Sequence, residues 1–306
     1  MSPDHKVKLI VNPNADLGRA WHIAGDLRPI VEEFGGADWT GTVFPTHAVE
    51  LARLAAEEGY ELVIAVGGDG TAHEVANGLM QVPRERRPRM GIVPIGSGND
   101  FAHAVGMDRS PPTALRQIFT GEPKPIDVGQ LQDGHGRLEY WVNTLGIGFD
   151  ATATIRSRRF TVVRGFLIYL LAVLQTILWN HDAPLMQVET DEEKWEERIL
   201  MLVLCNGPRE GGGFHIQPEA RPDDGIFHYA SVGKVSRPMM LRILPEVMRG
   251  THGKMKAVRM GKFKSLKLKA DAPLYVHTDG EIFSGFGTDI RDLQVEILPG
   301  ALEIVA

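Results

Sequence analysis

The feature that most constrains the fold is an apolar run that ends abruptly in a glycine-rich turn. Residues 62–66 read Leu-Val-Ile-Ala-Val, and Gly67-Gly68-Asp69-Gly70-Thr71 follows directly. Five apolar residues bounded by glycine predict a short strand buried on both faces of a parallel sheet. Glycines allow positive φ and carry no Cβ, so backbone N–H groups can approach a phosphate closely. A plain strand-to-helix turn also uses glycine, so this motif alone leaves both interpretations open.

A helix is predicted after this turn, with Thr71 as its N-cap, residues 72–80 as its body and Glu74 at the spacing of a capping box. Helix N-termini attract anions. The same design recurs about twenty residues later, where a strand over residues 90–95 leads into Gly96-Ser97-Gly98-Asn99-Asp100 and a second helix start. Two glycine turns of one design favour a phosphate ligand over a pair of unrelated turns.

Strands and helices alternate through the first part of the chain. Residues 6–12 and 39–44 predict two strands before the opening strand, and Pro111-Pro112 begins a later helix. Such alternation predicts a three-layer α/β domain with a mostly parallel sheet. Ligands of these sheets collect where strands end and helices begin, so four separate turns are expected along one edge.

From residue 124 onward the pattern changes to short strands with few helices, which predicts a second, β-rich domain. We therefore expect domains over residues 1–123 and 124–289. One segment departs from this pattern, because residues 156–179 read as a helix with almost no polar face. Such a helix is either buried in a core or in contact with lipid, and the sequence leaves both alternatives open.

Composition and charge narrow the class of protein. A chain of 306 residues exceeds what one hydrophobic core usually organises. A formal charge of -6 gives no support to a nucleic-acid partner. Residues 247–270 nevertheless hold eight cations and no acid, which fits either an anionic lipid surface or a solvated face of strands. Cys205 is the only cysteine, so no intrachain disulfide can form.

Neither a signal peptide nor a membrane span is expected. Residues 1–6 lack the charged-then-apolar pattern of a secretory signal. The longest apolar segment, residues 166–174, falls short of the roughly 20 residues that a span needs. We expect a cytoplasmic protein.

The glycine motifs resemble those of a known family. GGDGTAHEVANGL followed by PIGSGNDFA is similar to the catalytic domain of the diacylglycerol kinase and sphingosine kinase superfamily, in its bacterial-type lipid kinase branch. GGDG also occurs in NAD kinases and phosphofructokinases, whereas the second motif is more specific to lipid kinases. The resemblance implies an NAD-kinase-like architecture with a C-terminal β-sandwich, and a last strand or two, about residues 290–306, returning to the first domain.

The resemblance also implies an activity: transfer of the γ-phosphate of ATP to a hydroxyl of a lipid such as diacylglycerol, with Mg²⁺. Ser97 stands where threonine is common in the family, and the loop after Asn12-Pro13 lacks the usual Ser-Gly or Ala-Gly pair. By position, the ATP-binding residues are predicted to be Asn12, Thr46, Gly67, Gly68, Asp69, Gly70, Thr71, Glu74, Gly96, Ser97, Asn99 and Asp100.

Three carboxylates are implied in catalysis. The family carries an Asp-Gly-Glu at the position of residues 279–281, and the resemblance makes Glu281 the general base for the lipid hydroxyl. Asp279 and Asp69 are then metal-binding or positioning carboxylates. From the residues alone, Asp279-Gly280 indicates a hairpin turn, and a role for Asp69 in bonding its own turn is the lesser alternative.

A second Mg²⁺ is implied in the loop over residues 221–226. The family holds a structural Mg²⁺ there through one carboxylate and two backbone carbonyls, which by position are Asp224 and the carbonyls of Arg221 and Ile226. Hard oxygen ligands on a tight loop suit Mg²⁺. Without the resemblance, this stretch reads simply as a loop and turn.

The implied partner is a lipid substrate at a membrane surface, and a peripheral membrane contact and a homodimer are both compatible with the sequence. Two other functions remain alternatives. A kinase of a soluble acceptor such as NAD would be expected to lack the second glycine motif and the apolar helix. A non-catalytic binding module would be expected to have lost Asp69 or Glu281, and both are present.

Overall fold

The computed structural model of this protein describes residues 6–158 and 166–306, and these form two compact units. The first unit comprises the chain up to Asp127 together with Gly300–Ala306, and the second comprises Val128–Pro299. The first is an α/β unit and the second is rich in β-strands, which confirms the predicted fold class. None of the helices that the structure describes is both long enough and apolar enough to cross a membrane.

The first unit alternates strands and helices along the chain. Its elements are β1 (Val7–Val11), α1 (Ala20–Glu33), β2 (Asp38–Gly41), α2 (His47–Glu57), β3 (Leu62–Gly67), α3 (Asp69–Met80), β4 (Arg89–Pro94), α4 (Asp100–Ala104) and α5 (Pro111–Thr120).

These strands form a parallel sheet in the order β2-β1-β3-β4, and Ile304 near the C-terminus pairs with Met90 of β4. Every residue of β3 is buried. That is the environment predicted for the apolar run that opens the glycine turn, because a central parallel strand is covered on both faces. The carboxyl ends of β1, β3 and β4 therefore lie at one edge of the sheet.

The second unit consists mainly of antiparallel strands. The chain enters it along β5 (Pro123–Asp133) and leaves it along β15 (Asp292–Val305). Between these lie β6 (Leu138–Trp141), β7 (Thr144–Gly148), α6 (Phe149–Ser157), α7 (Phe166–Trp179), β8 (Leu185–Thr190), β9 (Lys194–Cys205), β10 (Phe227–Gly233), α8 (Arg237–Arg249), β11 (Val258–Phe263), β12 (Ser265–Ala270), β13 (Val276–Thr278) and β14 (Glu281–Ser284).

The long strand β9 belongs to two groups of strands. Its first half pairs with β8, and its second half pairs with β7 and β10. The buried side chains of both groups meet in one apolar cluster, which includes Trp141, Phe227, Tyr229 and Phe263. The ring centroids of Trp141 and Phe227 lie 4.5 Å apart, so large aromatic side chains fill the space among the strands.

The apolar segment of the second unit differs from the prediction. In place of one helix over residues 156–179 the structure has α6, which ends at Ser157, and α7, which begins at Phe166. Arg156 and Arg158 lie at the end of α6, while Arg159 and Arg164 fall outside the described residues.

One face of α7 is buried and the other is exposed. Ala172, Thr176 and Ile177 are buried, whereas Leu178 and Trp179 are 60% and 64% exposed. The buried face of α7 agrees with the core-helix alternative, and lipid contact of the exposed face stays a prediction.

Candidate functional site

The two glycine turns of the first unit touch each other backbone to backbone. A Cβ added to Gly96 would lie 2.5 Å from the Cα of Gly68, and one added to Gly68 would lie 3.1 Å from the Cα of Gly96. Real Cβ atoms essentially never come as close as 2.5 Å to another heavy atom, so Gly96 is required for this contact. The sequence predicted these glycines for the approach of a phosphate, and the structure adds a second reason for them.

The capping box predicted for α3 is wrong. The helix begins at Asp69, and its N-cap is Gly68, which has an extended backbone. The observed N-cap therefore lies three residues before the predicted one, Thr71. The Glu74 carboxylate instead accepts hydrogen bonds from the backbone N–H groups of Thr46 and Ala48, at 2.9 and 3.0 Å. These N–H groups lie at the start of α2 and have no partner within that helix. Glu74 therefore caps α2 and holds Thr46 in place.

Thr46 has an unusual backbone conformation. Its φ is 68°, in the left-handed region, where a β-branched residue is strained by about 1–3 kcal/mol. Such strain persists only where the surroundings impose it, and here Glu74 does so. Nearby loops are also tied together, because the Asn12 side-chain amide donates to the Thr71 hydroxyl at 3.2 Å.

Two carboxylates face the second glycine turn. Asp69 accepts a hydrogen bond from the backbone N–H of Phe101 at 3.1 Å, which caps the short helix α4. A Cβ added to Gly98 would lie 2.9 Å from Asp69 Oδ2 and 2.8 Å from Asp100 Oδ2, so both oxygens point at the same glycine. Paired carboxylate oxygens are a donor set that Mg²⁺ accepts.

The remaining residues of the second turn are arranged around these carboxylates. Asn99 has a left-handed φ of 51°, and its side-chain amide donates to the carbonyl of Gly96 at 2.9 Å. Ser97 is exposed at the tip of the turn. The first unit thus brings together the loops after β1, β3 and β4 and the start of α2, as the sequence predicted for a parallel sheet.

Asp279 of the second unit is buried in a two-residue hairpin turn. Asp279 and Gly280 both have left-handed φ, of 53° and 86°, as a two-residue turn with its preferred twist requires. The Asp279 carboxylate accepts hydrogen bonds from the backbone N–H groups of Val142, Asn143 and Thr144, at 3.0, 2.7 and 3.1 Å. This carboxylate therefore fastens the hairpin to the segment between β6 and β7.

Glu281 follows the hairpin turn as the first residue of β14, and its side chain is 40% exposed. One carboxylate oxygen accepts a hydrogen bond from Arg158 Nη2 at 2.6 Å, and the same nitrogen donates to the Gly280 carbonyl at 3.1 Å. Arg158 was not among the site residues predicted from the sequence. The two residues are 123 positions apart, and no local pattern connects them.

The loop over residues 221–226 forms a tight turn on the surface. Asp224 Oδ1 accepts a hydrogen bond from the Ile226 N–H at 3.2 Å, Gly225 has a left-handed φ of 73°, and Arg221 pairs with Asp223 at 3.4 Å. The second oxygen of Asp224 and the backbone carbonyls are hard donors, so their chemistry fits Mg²⁺.

Models of known families match nearly the whole chain. Residues 6–131 match the diacylglycerol kinase catalytic domain. Residues 143–306 match the YegS C-terminal NAD kinase beta sandwich-like domain. Each match falls on one type of architecture, the first on the α/β part of the chain and the second on the β-rich part.

Individual relatives are similar to this chain over more than four fifths of its length. A protein of Chromohalobacter salexigens named "Probable lipid kinase YegS-like" is 31% identical over 84% of this chain and 80% of its own. A protein of Pseudomonas aeruginosa with the same name is 33% identical, again over 84% and 80%. The "Diacylglycerol kinase" of Bacillus subtilis is 27% identical over 90% of this chain and 89% of its own.

Solved structures share the fold. A crystal structure from Bacillus anthracis str. Sterne has a TM-score of 0.79 and 24% identity, over 98% of this chain and 95% of that one. A diacylglycerol kinase structure from the same strain has a TM-score of 0.71 and 23% identity, over 98% and 96% of the two chains. At this level of identity, the likeness concerns the fold alone.

Proposed function

This chain belongs to the bacterial lipid kinase family that joins a diacylglycerol kinase catalytic domain to a YegS-type C-terminal domain, and we propose here how its residues perform that family's chemistry. The protein is an ATP-dependent lipid kinase. Relatives named as lipid kinases across more than four fifths of the chain do not favour a soluble acceptor such as NAD.

ATP binds the loops at the carboxyl edge of the sheet in the first unit. The observation that carries this proposal is the backbone contact of Gly68 with Gly96, beside the carboxylates of Asp69 and Asp100. The phosphates would lie along the two glycine turns, with the hydroxyls of Ser97 and Thr46 and the N-terminus of α3 as further donors. Such pre-positioned donors are what phosphoryl transfer chiefly requires.

Asp69 and Asp100 would hold the Mg²⁺ that accompanies ATP. Their oxygens converge on Gly98, and oxygen ligands suit a small hard cation. Bound there, Mg²⁺ supplies charge neutralisation for the phosphates. Asp69 also caps α4 through the N–H of Phe101, so its orientation is already fixed.

Glu281 accepts the proton of the lipid hydroxyl. The hydroxyl oxygen forms a bond to the γ-phosphorus, the bond from that phosphorus to the β,γ-bridging oxygen breaks, and ADP leaves with the electron pair of the broken bond. Support comes from the position of Glu281, partly exposed on a hairpin whose turn is anchored by Asp279. Arg158 pairs with Glu281 at 2.6 Å and so orients the carboxylate.

A peripheral membrane contact is proposed for the exposed face of α7 and α8. Leu167, Leu178 and Trp179 of α7 are more than half exposed, and Leu241 of α8 is 50% exposed. The helices are tied together by a hydrogen bond from Arg237 to the Ile177 carbonyl at 3.0 Å. The exposed cations Arg242, Arg249, Lys254 and Lys256 lie on α8 or shortly after it. Apolar side chains beside cations suit an anionic lipid surface.

The lipid acceptor is proposed to be diacylglycerol, as in the name of the Bacillus subtilis relative. The test is transfer of labelled phosphate from ATP to vesicles that contain diacylglycerol, monoacylglycerol, ceramide, sphingosine or phosphatidylglycerol. We expect label in phosphatidic acid at the highest rate. Label mainly in another product would correct the acceptor, and label in none of the lipids would contradict the assigned chemistry.

A further inference from the structure

A buried cluster of three ionisable side chains lies behind the Glu281 hairpin in the second unit. His277 is 2% exposed, and its Nε2 lies 2.7 Å from Asp150 Oδ2 and 3.9 Å from Glu210 Oε2. His277 is on β13, two residues before the hairpin turn, whereas Asp150 is on α6. The family-based assignment of catalytic residues does not use any of the three.

The hydrogen bonds of His277 define its tautomer. The backbone N–H of Gly280 donates to His277 Nδ1 at 3.2 Å, so Nδ1 carries a lone pair and no proton. The ring proton of the neutral imidazole is then on Nε2, where it is donated to Asp150 at 2.7 Å. Asp150 thereby selects the tautomer that leaves Nδ1 free to accept from Gly280.

The electrostatics of the cluster agree with an ionised Asp150. Burial alone would raise the pKa of Asp150, but attraction to and hydrogen bonding from the His277 Nε2–H, together with a hydrogen bond with Glu210, outweigh it, so the pKa is held below its ordinary value. Burial, followed by the negative charges of Glu210 and Asp150, raises the pKa of the neighbouring Cys205 thiol. Cys205 is therefore a buried thiol that stays protonated.

A metal ion does not fit this arrangement. Within residues 6–158 and 166–306, Asp150, Glu210 and His277 are the only three side chains of metal-binding type whose ligand atoms all lie within 4.8 Å of one another. Ligation through Nε2 would move the ring proton to Nδ1, where it would face the Gly280 N–H. The hydrogen bond from Gly280 would then be lost. The observed hydrogen bonds therefore fit a cluster that stabilises the hairpin, and they do not fit one that binds an ion.

The hairpin turn needs the acceptor that His277 provides. Thr278 and Glu281 are the last paired residues of β13 and β14, so the N–H of Gly280 inside the turn lies outside the strand ladder. The Asp279 carboxylate secures one side of the turn through the N–H of Asn143, and His277 secures the other. Glu281 is the next residue, so the turn sets the direction of its side chain.

Gly146 makes room for the pair. It lies opposite His277 in the pairing of β7 with β13. A Cβ added to Gly146 would lie 1.9 Å from Asp150 Oδ2 and 2.3 Å from His277 Nε2, so any other residue at this position would force the two side chains apart. Residue 146 of β7 must therefore be glycine, because only glycine leaves room for the contact between Asp150 and His277.

We propose that Asp150 and His277 form a positioning pair that holds the Glu281 carboxylate in its reactive direction by fixing the backbone of Gly280. The inference rests on the proposed role of Glu281 as the base. Asp150 orients the His277 ring, and His277 Nδ1 accepts a hydrogen bond from the Gly280 N–H. The fixed turn then sets the direction of the Glu281 side chain. Neither Asp150 nor His277 takes a proton from the lipid.

Two substitutions of His277 test separately the contact that Nδ1 makes with Gly280 and the contact that Nε2 makes with Asp150. His277→Asn keeps an acceptor oxygen near the place of Nδ1, within reach of Gly280, but loses the contact with Asp150. His277→Gln keeps a donor near the place of Nε2, for Asp150, but loses the acceptor for Gly280. We expect kcat to fall at least ~10-fold in His277→Gln, with KM for ATP and for lipid unchanged, and to fall less in His277→Asn. His252→Gln, which also replaces a buried histidine, is the matched control and is expected to keep wild-type kcat.

A double-mutant cycle with Glu281→Gln tests whether His277 acts through Glu281. If it does, adding His277→Gln to Glu281→Gln lowers kcat no further. Equal losses in both backgrounds, or a His277→Gln enzyme with wild-type kcat, would overturn the positioning role while leaving Glu281 as the base. Wild-type kcat in Glu281→Gln alone would instead remove the base itself, and the positioning role with it.

The tautomer can be read without any variant. Nitrogen-15 NMR of the histidine rings in the wild-type protein, with the His277 ring signals assigned through bonds from its own backbone resonances, is expected to show a proton on Nε2 and a hydrogen-bond acceptor at Nδ1. A proton on Nδ1 would overturn the inference even if both His277 variants failed to fold.

Discussion

At the scale of single residues, Thr46 shows how a neighbouring carboxylate holds a strained backbone. Its left-handed φ of 68° is imposed by the Glu74 carboxylate, which accepts from the N–H groups of Thr46 and Ala48. In the sequence, Thr46 was predicted as an ATP-binding residue by position, and nothing there revealed the strain. Glu74 is 28 residues away, and a local pattern had assigned its carboxylate to α3.

Thr46→Gly should therefore separate stability from nucleotide binding. Glycine adopts a left-handed φ without strain, so we expect the free energy of unfolding to rise by about 1 kcal/mol, after allowance for the greater freedom of glycine in the unfolded chain. Loss of the hydroxyl should weaken ATP binding by about 1 kcal/mol, roughly 5-fold. Urea unfolding and ATP titration measure the two effects. Thr46→Ser, which keeps the hydroxyl, should retain ATP affinity, and wild-type affinity in Thr46→Gly would remove Thr46 from the nucleotide site.

Asp150 predicts a pH dependence of stability. Burial alone would raise its pKa, but attraction to and hydrogen bonding from the His277 Nε2–H and a hydrogen bond with Glu210 outweigh burial, so the pKa is lowered in the folded protein. A lowered folded-state pKa adds stability above the unfolded value of about 3.9, and this contribution is lost as the pH falls through the folded value. Wild type should thus exceed Asp150→Asn in unfolding free energy at neutral pH, and by less below about pH 4. Urea unfolding of both proteins across this range is the measurement. A difference that did not shrink in acid would show that the ionised carboxylate is not what stabilises the cluster.

At the scale of elements, the sequence predicted what depends on local pattern. The strand before each glycine turn and the hairpin at Asp279-Gly280 follow from apolar runs, glycines and turn residues that lie next to one another. Helix α8 was not predicted, and it contains two prolines, Pro238 and Pro245. In the structure Pro238 lies in the first turn, where proline is tolerated, and the packing of Met240, Ile243 and Val247 outweighs the cost of Pro245.

The exposed face of α7 and α8 predicts binding to anionic vesicles. Trp179→Ser should weaken co-sedimentation with vesicles that contain an anionic lipid, because it removes a 64% exposed aromatic side chain from that face. Trp21→Ser is the matched control, since Trp21 of α1 is 61% exposed and belongs to the first unit. Equal binding by the two variants would mean that α7 does not contact the lipid surface.

The loop over residues 221–226 predicts stabilisation by Mg²⁺. Asp224→Ala should lower the Tm and remove the rise in Tm that added Mg²⁺ gives the wild type, because ion binding to the folded state alone stabilises it. Asp223→Ala, which changes the neighbouring carboxylate that pairs with Arg221, is the control and should keep the Mg²⁺ response. If Asp224→Ala melts like wild type at every Mg²⁺ concentration, the loop is only a turn.

At the scale of the whole molecule, the chain divides into an α/β unit and a β-rich unit, and its final residues, Gly300–Ala306, belong to the first. The alternation of strands and helices made the first architecture predictable, and the run of short strands made the second predictable. Contacts between residues distant in sequence were not predictable. The pairing of Arg158 with Glu281 and of Asp150 with His277 depends on how β7, α6 and β13 pack, and no periodicity in the sequence encodes it.

We propose that Glu281 is the proton acceptor of this ATP-dependent lipid kinase and that its phosphate and metal sites lie elsewhere in the chain. Asp69→Asn should therefore alter the dependence of the rate on Mg²⁺, because Asp69 is placed with the phosphates. Glu281→Gln should instead leave ATP binding unchanged, because glutamine keeps the size and hydrogen bonding of the side chain and loses only the ability to accept a proton.

The most direct measurement is the rate of phosphoryl transfer from labelled ATP to diacylglycerol vesicles by wild type and Glu281→Gln, with ATP affinity measured on the same samples. The exposed Glu192→Gln serves as the control for loss of one surface carboxylate. We predict transfer by wild type and by Glu192→Gln, and a kcat at least ~100-fold lower in Glu281→Gln at unchanged ATP affinity. Wild-type turnover by a folded Glu281→Gln protein would contradict this account and leave Asp69 as the candidate base.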